Sequence, residues 1–75
     1  MTHLVRAINK PEDITYIIKY KRRWKKETVL AMLKHASARL RAFRRHGLVT
    51  GDEFQTITHN IRVARQETVS GKYQN

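Results

Sequence analysis

Val29, Leu33, Ala36, Leu40 and Phe43 recur at spacings of four, three, four and three, and no glycine or proline interrupts the chain from Lys26 to His46. That unbroken period predicts an amphipathic helix over about 26–46 whose apolar seam must pack against another helix. Gly47 supplies the stop, and Arg44, Arg45 and His46 fall in the last turn, where the helix macrodipole favours cations. A second seam, Phe54, Ile57, Ile61 and Ala64, steps by three, four and three and predicts a helix over about 51–68. Thr50 followed by Glu53 fits a capping box, Asp52 adds first-turn negative charge, and Ser70-Gly71 ends the segment. The four-residue link Gly47-Leu48-Val49-Thr50 is short enough to make the two helices antiparallel. Leu48 and Val49 are expected to close that end of the hairpin by stapling onto the second helix.

The first quarter admits two readings. Pro11-Glu12-Asp13 resembles a helix start, with Asn9 as cap, and Ile14, Ile17, Ile18 and Trp24 would line one face of a helix over about 11–24. Against this, Ile14 to Tyr20 is rich in β-branched and aromatic residues, as a strand would be, and Thr2 to Ile8 could pair with it across the Asn9–Asp13 turn. The cap signals and the charge gradient favour the helix. The expected fold is therefore all-α: an antiparallel helical hairpin with an N-terminal helix packed on it. The alternative is an N-terminal β-hairpin plus two helices. Residues 1–75 read as one small basic domain, with 1–10 and 70–75 expected to be flexible.

Size sharpens the question of what completes the core. A domain of 75 residues buries only about 60–65% of the surface its unfolded chain exposes, so its core is thin, and the absence of cysteine removes disulfides, thiolate metal sites and a cysteine nucleophile. Two seams of modest apolar residues need a third layer. Either the N-terminal segment folds back, or two hairpins pair into a four-helix bundle. The two solutions are compatible, and with Leu30 and Val63 left off the main seams a homodimer is expected. No signal-peptide run and no stretch of membrane-spanning length is present, which makes the cytoplasm the expected compartment.

Charge gives the functional direction. The formal net charge is +10, and between Lys19 and Arg45 eleven basic residues face one acid, Glu27. The block Lys19-Tyr20-Lys21-Arg22-Arg23-Trp24-Lys25-Lys26 places six cations in eight positions. Such a block cannot be buried, and six carboxylates cannot pair sixteen cations, so it faces water or a polyanion. Nucleic acid, bound through phosphates with release of counterions, is the leading partner, either DNA or RNA. Arg22 and Arg23 can grip phosphates bidentately, while Lys19, Lys21, Lys25 and Lys26 act as mobile point charges. On the long helix Lys34, Arg41 and Arg45 fall opposite the seam, spanning about 16 Å at ~1.5 Å per residue. Residues 28–51 contain no acid to neutralise them. Tyr16, Tyr20 and Trp24, spaced four and four, could stack on unpaired bases or pack inward; as the lone tryptophan of a thin core, Trp24 is assigned to packing.

Other classes find less support. His3, His35, His46 and His59 form no i,i+4 pair and no His-Glu-x-x-His run, so no metal site is expected. The acids sit singly or at helix starts, and no glycine-rich phosphate loop occurs; neither an enzyme nor a cofactor is expected. A helix-turn-helix reader is disfavoured, because Asp52 and Glu53 would carry carboxylates to the groove at the start of the second helix, which bears only Arg62 and Arg65. The sequence thus reads as a small basic nucleic-acid-binding protein, a regulatory or accessory factor. The alternative is an interaction module or inhibitor that docks its basic face on an acidic protein. A peripheral membrane helix is weaker, since 13–26 lacks a broad Leu/Phe face.

Overall fold

The computed structural model describes residues 7–71, and these form three α-helices and one short 3-10 turn. Helix α1 spans Pro11–Lys19, the 3-10 turn spans Lys21–Arg23, α2 spans Lys26–Arg45 and α3 spans Gly51–Ser70. The helices α2 and α3 make the expected hairpin, and α1 packs on both. The domain is flat, 35 × 27 × 15 Å. The expected fold class is the one observed. The strand reading is overturned for residues 11–19, which are helical; most of its partner, Thr2 to Ile8, lies outside the described residues, as does part of each terminus expected to be flexible.

The start of α1 differs in detail from its sequence reading. The cap is Lys10, not Asn9, and the work is done by Asp13, whose Oδ2 accepts from the backbone N–H groups of Asn9 (2.9 Å) and Lys10 (3.2 Å). Two amides at the helix entrance thus gain an acceptor, and the carboxylate also lies at the positive end of the dipole. The helix also stops early, at Lys19 rather than near Trp24. A continuous helix through the basic block would set like charges at i,i+3 or i,i+4 in six pairs, from Lys19/Arg22 to Arg23/Lys26. The 3-10 turn avoids that stack and reverses the chain into α2. Trp24 follows in extended conformation (φ −124°, ψ 160°).

All five seam residues of α2 are buried, and so is Met32, which widens the stripe. From α1 come Ile14 and Ile17, both 0% exposed, with Ile18 and Trp24 packed partly against the same core. From α3 come Ile61 and Ala64, while Phe54 and Ile57 are half-buried. Thr68 continues the α3 period and is fully buried; its hydroxyl donates to the Ala64 carbonyl (2.8 Å), so burial leaves its hydrogen bond made. Ile8, in the stretch expected to lie outside the fold, is buried in the core. The third layer that the hairpin lacked is supplied by α1 within one chain.

The α2–α3 connection is a Schellman turn. Leu48 N–H donates to the Phe43 carbonyl (2.8 Å) and Gly47 N–H to that of Arg44 (3.2 Å), with Gly47 at φ +76°. Val49 alone closes the hairpin end: it is buried, whereas Leu48 is 58% exposed. The Thr50/Glu53 capping box forms as expected, with bonds of 3.1 and 2.7 Å. A Cβ at Gly47 would meet no atom within 4 Å, so replacement acts through backbone strain alone. Gly47→Ala should cost about 1 kcal/mol and lower the thermal midpoint by roughly 4–8 °C, measured by circular dichroism.

Candidate nucleic-acid interface

The nine cations singled out from the sequence do not form one surface. Lys19, Arg22, Arg23, Lys25 and Lys26 gather around the reversal between α1 and α2, and all five are exposed. Lys34, Arg41 and Arg45 are exposed along α2, but Lys34 and Arg41 line a groove between α2 and α3 and so flank the seam rather than fall opposite it. Lys21 is set apart. It is only 14% exposed, and its Nζ lies 3.2 Å from Glu67 Oε1. That ion pair ties the 3-10 turn to the last turns of α3 and balances the Lys21 charge locally. Among the described residues, Arg22, Arg23, Lys25 and Lys26 make no ion pair.

The aromatic residues beside this block hold one another. Tyr16 and Tyr20 approach to 4.6 Å between ring centroids, Tyr16 and Trp24 to 6.5 Å. The helix does not run through them; the 3-10 turn brings Trp24 back beside Tyr16 instead. The Arg23 guanidinium sits 4.7 Å from the Tyr20 centroid and Lys19 Nζ 5.5 Å. A cation held on an aromatic face gains a modest attraction and loses side-chain freedom before any ligand arrives. Tyr20 thus acts as a platform for Arg23 rather than as an open surface for a base.

Acidic residues collect at the opposite end. Helices α1 and α3 both begin there, and Glu12, Asp52 and Glu53 line one cavity with Pro11, Leu48, Val49 and Ile57. With buried Asp13, four of the six acids of the chain lie at this end. The length of α1, about 13 Å at ~1.5 Å per residue, separates them from the cationic reversal. Lys10 lines the same cavity, and Arg44 and Arg45 close α2 at this end, so the acids here stand among cations, whereas at the reversal the cations outnumber the acids.

No family model, curated protein or solved structure matches this chain.

Two cations escaped the sequence reading in opposite directions. Arg39, counted in the basic run, is structural: its Nε donates to the Ile8 carbonyl (3.1 Å), and its guanidinium lies 5.0 Å from the Phe43 ring centroid. Arg65, treated as belonging to a separate helix, lines the same groove as Lys34 and Arg41. The periodicity of each helix alone carries no signal for either, because both depend on which elements meet. His35, His46 and His59 are exposed, and His3 lies outside the described residues. Among the described residues no group of three metal-ligating side chains converges, and no helix is long and apolar enough to cross a membrane.

Proposed function

We propose that this protein binds nucleic acid through the phosphate backbone, as an accessory or regulatory factor. The grip is the α1–α2 reversal, where Arg22, Arg23, Lys25 and Lys26 make the main contacts and Lys19 flanks them. Lys34, Arg41 and Arg45 extend the contact along α2. The observation that carries this reading is a set of cations at the α1–α2 reversal that are exposed and, among the described residues, make no ion pair. Four cations held close together match successive phosphates, and release of condensed counterions supplies the driving force. With Tyr20 already covered by Arg23, base edges have few readers on this surface, and Asp52 and Glu53 at the start of α3 disfavour that helix as a reader. Binding is therefore expected to depend weakly on sequence.

A direct test compares fluorescence anisotropy of a labelled duplex DNA, a structured RNA and poly-glutamate at ~50 mM salt. At least one nucleic acid should bind more tightly than the polypeptide. Binding of neither nucleic acid, with poly-glutamate bound, would transfer the function to an acidic protein partner.

A further inference from the structure

A groove of about 580 Å³ runs between α2 and α3, on a part of the surface distinct from the cationic reversal. One wall is a single ridge of α2, Leu30, Lys34, Ser37 and Arg41, spaced four, three and four. That ridge is about 16 Å long at ~1.5 Å per residue, enough for three turns of a helix laid along it. The other wall is α3, with Arg65 and Val69. At the end where α2 begins and α3 finishes the lining is apolar, Leu30 across from Val69, and Val69 is 55% exposed. Further along, Lys34 and Arg41 face the groove from α2 and Arg65 from α3, and no carboxylate lines it. Glu67, the acid nearest on α3, is engaged by Lys21 and does not line the groove.

We propose that this groove docks an amphipathic helix of an acidic protein partner. The apolar end asks for leucine-like side chains at i, i+3 or i+4 and i+7, and the three cations ask for Asp or Glu flanking them. Ala31 and Ser37 are small enough for a helix backbone to come close. Nucleic acid is the poorer occupant, since a phosphate backbone gains nothing from Leu30 and Val69 and leaves them wet. A second copy is poorer still. A two-fold contact would set three cations against the same three, in a chain of net charge +10 with no acid in the groove to answer them. The inference goes beyond the phosphate grip and does not depend on it. Because Lys34 and Arg41 serve both surfaces, a docked helix would also shorten the track open to phosphates along α2.

The experiment uses the full chain and a fluorescein-labelled synthetic helix with leucines on one face and glutamates beside them, against a peptide of the same composition with its order scrambled. The ordered peptide should bind in the low micromolar range by anisotropy, and the scrambled one at least ~10-fold more weakly. Val69→Asn changes an exposed position and should keep the helical circular dichroism spectrum. It should reduce affinity for the ordered peptide by roughly tenfold, the loss expected when one valine contact is removed, while leaving duplex affinity nearly unchanged. Equal binding of both peptides, or unaltered peptide binding by Val69→Asn, would reduce the contact to charge alone and overturn the proposal. Weaker duplex binding by Val69→Asn would give the groove to nucleic acid. A dimer in sedimentation that Val69→Asn dissolves would give it to a second copy.

Discussion

Ile17→Ala should lower the thermal unfolding midpoint by about 15 °C. Ile17 is fully buried and is one of the two residues by which α1 anchors to the hairpin. Truncating a buried isoleucine to alanine costs about 2–5 kcal/mol, from lost transfer energy and from the cavity left behind. A domain of this size has a total stability of roughly 4–11 kcal/mol, and each kcal/mol is worth about 4–8 °C. The substitution therefore removes a large fraction of what holds the domain together. Ile18, half-buried at the margin of the same core, should cost clearly less when changed to alanine. Differential scanning calorimetry of both variants measures this. A midpoint within about 3 °C of the parent for Ile17→Ala would mean that the hairpin is stable without α1, and that something other than this helix covers its open face.

Replacing Arg22, Arg23, Lys25 and Lys26 together with alanine should weaken binding to duplex DNA by about three orders of magnitude near 0.1 M salt. The four side chains are exposed and make no ion pair among the described residues; Arg23 loses its contact with the Tyr20 ring, but none of the four belongs to the core, so the circular dichroism spectrum should be retained. Relief of like-charge crowding around the 3-10 turn should, if anything, raise stability slightly. Removing Arg62 and Arg65 from α3 should cost far less affinity. If the α3 variant lost more, α3 would be the element laid against the phosphates, and the orientation of the domain on the duplex would be reversed. Lys21→Ala separates two roles within the block: its ion pair with Glu67 predicts a small change in stability and little change in affinity.

The hairpin was legible because each of its signals is local. The Val29-to-Phe43 seam, the glycine stop and the Thr50/Glu53 box need no knowledge of distant residues, and each forms as the spacing predicts. Thr68 could have been read as well, since it falls four residues beyond Ala64 on the same period; its polarity hid it, and the i−4 hydrogen bond explains why burial is tolerated. The end of α1 was harder. Local propensity across Ile14 to Tyr20 favours a strand, and what decides the matter is tertiary: Ile14 and Ile17 reach the core only from a helix that stops before the cations crowd. The same limit governs the candidate site. Composition correctly marks the basic run as the surface feature, but it cannot tell that Lys21 meets Glu67, that Arg39 meets the Ile8 carbonyl, or that Arg65 faces Lys34 and Arg41 across a groove. Those facts are set by contacts between residues 24 or more positions apart, which no spacing rule encodes.

The central claim, that a cluster of exposed cations at the α1–α2 reversal binds nucleic acid by displacing counterions, is tested most directly by the salt dependence of duplex affinity. With about six phosphates neutralised, log K should fall against log salt with a slope near −5, a loss of about 1,000-fold between 50 and 200 mM, and the slope should drop to about −2 in the variant lacking Arg22, Arg23, Lys25 and Lys26. A slope for the parent protein no steeper than about −2, or the same slope in both proteins, would contradict the account.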